Sequence, residues 1–264
     1  MGQSGKYFSI TKKISVAASV QNGGVISDGN LIADWQAIEI PKGASCLKSL
    51  TVLARPKGDA TPTPNTFAAE FFFSKTNTVS LGTPGGAVTH YPMPDMIGLI
   101  KLDGGAYGTN VTNGTAIAST GMQGNEEQAG VPLILQGDPT TGDNVGFDTI
   151  YVGIMSSGNW TFGGSSTNAS LNAIAEAGTA GAASTQVITM DGSGMDVREH
   201  FATGDVVHIG TSVGDPAADS LIGTIASVDS ATQLTLESTS ATDLVDGDIL
   251  YNIHPITLVL GFEQ

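Results

Sequence analysis

The chain has 264 residues, 25 of them acidic and 10 basic, with one cysteine, so its formal charge is −15 at neutral pH and it holds neither an internal disulfide framework nor a cysteine-based zinc site of the usual kind. A hydrophobic content of 40% can core one large or two small domains, while 35 glycines and an abundance of serine and threonine favour strands and turns over helices. The charge is uneven: residues 1–101 hold nine basic and six acidic groups, a balance of +3, and residues 102–264 hold Arg198 alone against nineteen acidic groups, a balance of −18, which excludes nonspecific nucleic-acid binding by the second part.

The segment Tyr7 to Val20 opens the pattern, with Ile14, Val16 and Ala18 on one face of a strand, closed by the turn signal Gly23-Gly24. Ile14 to Val20 is too short and, around Ser15 and Ser19, too polar for a signal peptide, and no apolar run approaches the roughly twenty residues of a membrane helix, so the expectation is a soluble protein made in the cytoplasm. Trp35 to Ile40 alternates again, and Pro41-Lys42-Gly43 turns the chain into Leu47 to Ala54. In Phe67 to Ser74, the run Phe71-Phe72-Phe73 puts rings on both faces of a strand, which predicts one face on the core and the other on a second layer or a partner subunit.

From Pro84 to Asp143 glycine, proline, threonine and asparagine dominate, and Met96 to Leu102 and Val131 to Leu135 read as strands joined by long excursions. Thr149 to Ile154 and Asn159 to Phe162 follow. Residues 163–185 have the small-residue composition of a linker, within which Leu171 to Ala177 is a candidate short helix ended by Gly178. Five closely spaced strands then suggest a small barrel: Gln186 to Met190, Val206 to Thr211, Leu221 to Val228, Gln233 to Glu237 and Asp248 to Ile253. Ile256 to Phe262 is apolar and unlike the acidic stretch before it, which predicts its return to the first unit. The expected fold is therefore all-β: a jelly-roll-like β-sandwich from residues 1–165 and 254–264, a linker at 166–185, and an inserted small β-barrel at 186–253.

No phosphate-cradling glycine loop, dinucleotide fingerprint or nucleophile elbow occurs. His90, His200, His208 and His254 are dispersed, and Asp191, Asp196 and Glu199 lack the spacing of a calcium loop, so no metal, cofactor or catalytic residue is assigned. Trp35 and Trp160 are read as core or interface residues.

The stretches Phe201-Ala-Thr-Gly-Asp-Val-Val-His-Ile-Gly210 and Gly223-Thr-Ile-Ala-Ser-Val-Asp-Ser-Ala-Thr-Gln-Leu-Thr-Leu236, set beside a loop-rich sandwich, resemble virion structural proteins of tailed bacteriophages, most of all capsid decoration (cement) proteins. The resemblance implies a non-enzymatic homotrimer on the capsid exterior that bridges capsomers of the major capsid protein, with no nucleic-acid or membrane partner. A tail-fibre or other virion component that binds host glycans is the alternative. Lys6, Lys12 and Lys13, which could seat on an acidic shell, and Phe71 and Phe73, which could meet a neighbouring subunit, are the candidate partner-binding residues.

Overall fold

The computed structural model describes residues 7–21, 24–41, 45–57, 63–108, 116–120, 133–135, 147–162, 171–176, 186–190, 196–210, 220–240, 244 and 249–264. In chain order these form β1 (Tyr7–Ile14), α1 (Ala18–Gln21), β2 (Leu31–Pro41), β3 (Ser45–Ala54), β4 (Ala69–Ser74), β5 (Met96–Leu102), β6 (Tyr107–Gly108), β7 (Ala116–Thr120), β8 (Leu133–Leu135) and β9 (Phe147–Ser156). They continue as β10 (Leu171–Glu176), β11 (Val187–Met190), α2 (Val197–His200), β12 (Val206–Gly210), β13 (Ser220–Val228), β14 (Gln233–Leu236), β15 (Ile249–Asn252) and β16 (Ile256–Glu263). Both helices are single turns of four residues, so the described chain is all-β.

Two sheets make a sandwich. One runs β1-β16-β3-β7-β6, with β8 added beside β3, and the other runs β2-β9-β4-β5. Leaving aside the short β6 and β8, the eight sandwich strands pair first–eighth–third–sixth and second–seventh–fourth–fifth, which is jelly-roll order. Every pairing is antiparallel. The period-two alternation has a direct consequence: Ile256, Leu258, Leu260 and Phe262 of β16 and Leu50, Val52 and Ala54 of β3 point inward against Ile150, Val152 and Ile154 of β9. Each fully buried side chain of this size contributes about 1.5–3 kcal/mol.

Between β9 and β16 the chain forms a second unit. Its strands pair in the closed ring β10-β11-β14-β13-β12-β15, which leaves no free edge. Ile188, Phe201, Val207, Ile222, Ile225, Leu234, Leu236 and Leu250 fill its interior.

Two expectations are corrected. Leu171–Glu176, assigned to a linker that held a candidate short helix, is a strand, and it pairs with both β11 and β15. An isolated helical turn is costly to nucleate, whereas this strand closes the barrel and satisfies backbone groups on both of its neighbours. The barrel therefore starts at β10 and has six strands where five were expected. Phe71 and Phe73 are fully buried inside the sandwich of a single chain, so neither ring has surface left for a partner. Phe72, on the opposite face of β4, is 6% exposed because the chain covers it with its own residues. Tyr91 lies across it at a centroid distance of 5.5 Å, and the fully buried Leu81 packs where a Cβ on Gly153 would collide. Asp34 pins this covering segment by accepting hydrogen bonds from the Leu81 amide at 3.0 Å and the Ser80 hydroxyl at 2.6 Å. The second layer over the phenylalanine strand is thus intramolecular.

Candidate functional site

The outer face of the six-stranded sheet is part-exposed along β1, β3 and β16. The registers Thr11↔Val259↔Thr51↔Ser119 and Ser9↔Gly261↔Ser49 carry small, mostly hydroxylic side chains across that face. Thr51 and Ser119 share a hydrogen bond of 2.8 Å across β3 and β7, and a Cβ on Gly261 would run into the Ser49 hydroxyl. The result is a flat surface with few charges, bordered by the exposed Tyr7 and Ile117. At one end Glu263 accepts a hydrogen bond from Tyr7 at 3.0 Å and pairs with Lys48 at 2.8 Å. Those contacts, led by the lysine, hold the Glu263 carboxyl below its ordinary range.

Beside β1 lies the most connected polar site of the described residues, where the barrel meets the sandwich. The turn Ala202–Asp205 is closed by the Asp205 amide donating to the Ala202 carbonyl at 3.0 Å, and Gly204 supplies the left-handed backbone it needs, with φ +79°. That turn delivers Asp205 into the junction, where it is 1% exposed. Its carboxylate accepts from Lys13 of β1 at 2.6 Å, Asn252 of β15 at 2.9 Å, the Ala202 amide at 2.8 Å and Arg55, just after β3, at 3.4 Å. Asn252 also donates to the His200 carbonyl at 2.7 Å and accepts from the His254 amide at 2.7 Å. Gln21 of α1 donates to the Asn252 carbonyl at 2.9 Å and to that of Val16 at 2.8 Å. The Val16 amide donates to the Ile253 carbonyl at 2.8 Å, and Ala18 joins Ile249, Tyr251 and Ile253 in a small apolar cluster beneath the network.

Two histidines line this junction. His200 is 3% exposed and its Nε2 has no hydrogen-bond partner. Burial, helped by the Arg55 charge and opposed by Asp196, pushes its pKa down to about 4. His254 is also shifted downward, mainly by burial, with Asp205 opposing and Lys13, Lys12 and His208 reinforcing. His200 and His254, dispersed in sequence, are thus brought to one junction, with His208 close to His254. Among the described residues no group of His, Cys, Asp and Glu side chains is placed to hold a metal ion.

The sequence-predicted partner residues fall differently from one another. Lys6 lies outside the described residues. Lys12 is part-exposed on β1, in register with the inward-pointing Leu258 and so not on the outer face of the sheet. Lys13 is committed to Asp205 within the chain. Phe71 and Phe73 are in the core. Asp191 lies outside the described residues, and Asp196 caps α2 by accepting from the Arg198 amide at 3.0 Å. Trp160 stacks on Phe67 at 4.7 Å and meets Phe162 at 4.5 Å, so its ring is spent on internal packing. Asp205 and Asn252 are not among the residues that sequence reasoning singles out. The available signal is Thr203-Gly204-Asp205, a turn whose aspartate immediately precedes an apolar strand.

No known protein family and no curated protein matches this chain. No helix among the described residues is long and apolar enough to cross a membrane.

Proposed function

We propose that the chain is a non-enzymatic structural protein of a tailed-phage virion, made in the host cytoplasm, that decorates the capsid exterior as a homotrimer and bridges subunits of the major capsid protein. The observation that carries this reading is the likeness of residues 201–210 and 223–236 to small barrels of phage particles. Those residues contribute β12, most of β13 and β14 of the closed barrel, so the likeness follows one folded unit and not scattered loops. The jelly-roll order of the sandwich is compatible with it, as an architecture that viral capsid proteins share with lectins and cupins. The flat outer face of the six-stranded sheet supplies the kind of area that attachment to a shell requires.

Two experiments test the reading. Mass spectrometry of the purified particle should detect the chain, and recombinant protein should co-sediment with capsids stripped of their native decoration. Failure to bind such capsids removes the function. Light scattering should report three copies, and a monomer at micromolar concentration removes the trimer. Because Phe71 and Phe73 are internal, the trimer contacts must come from other surfaces, and an alanine scan of Tyr7, Thr11, Thr51 and Ser119 should locate the surface used.

A further inference from the structure

The junction between barrel and sandwich is built unlike an ordinary packing contact. Its apolar part is small, four buried residues around Ile253, whereas its polar part joins Lys13, Arg55 and Gln21 of the sandwich unit to His200, Asp205 and Asn252 of the barrel. Among the described residues, Asp205 is the acid whose carboxylate both cations share. Asp196 is held by Arg198, and Glu199 offers Arg55 its carbonyl at 3.4 Å. Around the junction the sandwich contributes Lys13 and Arg55, which pair with the Asp205 carboxylate, and Lys12, while His200 lies beside Arg55 and Asp196 and His254 lies beside Asp205, Lys13, Lys12 and His208. With the imidazoles neutral, one buried anion stands among cations. With His200 charged, a further positive group lies buried beside Arg55, whose own anion Asp205 is already shared with Lys13.

We propose that the barrel is an acid-released module: at neutral pH Asp205 clasps it to the sandwich, and charging of His200 beside Arg55 opens the clasp while both units stay folded. His200 is placed for this role. Its Nε2 is buried without an acceptor, so a proton added there in the closed state has nothing to pair with, and the nearby Arg55 repels it. Opening the junction hydrates both groups at once. Each unit has its own core: that of the sandwich, around Phe71, Val152 and Leu258, is independent of the barrel interior around Phe201 and Leu234, so separation need not unfold either. The chain between Asn252 and Ile256, where β15 gives way to β16, is one of the two crossings between the units and serves as a hinge. This inference does not depend on the capsid reading.

The sign follows from proton linkage. A histidine held at about 4 in the closed state and returning to its ordinary 6.5 when hydrated binds its proton preferentially in the open state. The clasp is thus at full strength above 6.5 and weakens progressively down to about 4, the opening equilibrium rising by about 300-fold over that window. The test is site-resolved amide exchange between neutral and mildly acidic pH, corrected for intrinsic rates, on wild type and His200→Phe. The Val16 amide, which bridges to Ile253, should lose up to about 300-fold of its protection in wild type while the β3–β16 ladder keeps its own, and the phenylalanine variant should stay protected. Loss of both sets of amides together, or an identical pH profile in His200→Phe, overturns the proposal. Should the variant fail to fold, the wild-type His200 ring resonance decides: no titration above about pH 5 supports the clasp, and a midpoint near the ordinary 6.5 refutes it.

Discussion

Replacing Asp205 by alanine removes one side chain and disturbs four groups. Lys13, Arg55, Asn252 and the Ala202 amide lose an acceptor, and the turn that presents residue 205 loses the side-chain bond that braces it. Breaking one side of a buried ion pair ordinarily costs about 3–5 kcal/mol, chiefly because the remaining charge is stranded. Here Lys13 and Arg55 are 37% and 27% exposed and can swing toward water, and Asn252 keeps its bond to the His200 carbonyl. The stranded-charge part shrinks accordingly, and the loss expected is about 2–3 kcal/mol. For a chain of this size that lowers the melting temperature by about 4–12 °C. Urea denaturation followed by tryptophan fluorescence reads the sandwich, because Trp35 and Trp160 both lie in it, while circular dichroism reads the whole chain. If Asp205→Ala melted within about 0.5 kcal/mol of wild type, the network would be an ornament of two units joined by other means, and the reasoning would fail.

Phe73→Ala should cost about 3–5 kcal/mol, since the ring is fully buried between the two sheets and the neighbouring strands are hydrogen-bonded on both sides; a loss below about 1 kcal/mol in denaturant titration would mean the site is not core. Excising the barrel has to begin before β10, not after it, because a cut at residue 180 leaves one barrel strand behind. A chain in which residues 171–253 are replaced by a short glycine–serine linker should remain folded but less stable than wild type, as Lys13, Gln21 and Arg55 lose their partners and Ala18 loses its apolar cover. Aggregation of that variant during gel filtration would show that the barrel supplies part of the main core.

Much of the fold is readable because burial in a sandwich imposes period two directly. Ile256, Leu258, Leu260 and Phe262 alternate without interruption, and so do Leu50, Val52 and Ala54. Where small residues replace branched ones the signal vanishes: β7, Ala-Ile-Ala-Ser-Thr, lies among glycine and threonine and has the composition of a loop. In β10 the signal is reversed. Leu-Asn-Ala-Ile-Ala-Glu is made largely of helix formers, and only closure of the barrel, a tertiary fact, makes it a strand. The three rings of Phe71-Phe72-Phe73 correctly announce two covered faces, but sequence cannot say that residues 79–91 of the same chain cover the second. The clasp is invisible in sequence for a simpler reason: Lys13 and Asp205 are 192 positions apart, and neither has a local pattern that predicts the other.

That pairing changes how attachment to an acidic shell should behave. From composition, residues 1–101 offer nine positive groups, but Lys13 and Arg55 are turned onto Asp205 and Lys48 onto Glu263, so a third of them are already neutralised within the chain. Among the proposed seating lysines that are described, Lys12 alone carries no such ion pair, and one part-exposed charge is worth about 1 kcal/mol at most. Binding must then rest on area, through the flat hydroxylic face of β1, β16, β3 and β7, with electrostatics as a minor term. Raising salt from about 0.1 M to about 1 M shortens the screening length from about 10 Å to about 3 Å and should weaken co-sedimentation by less than about tenfold. Lys12→Glu should have an effect of similar size and leave the oligomer intact, whereas Lys13→Glu should also loosen the barrel and is the wrong probe of the surface. A loss of about a thousandfold in salt would refute the face and restore a basic patch as the seat, with the contact then falling on lysines other than those whose pairing is seen here.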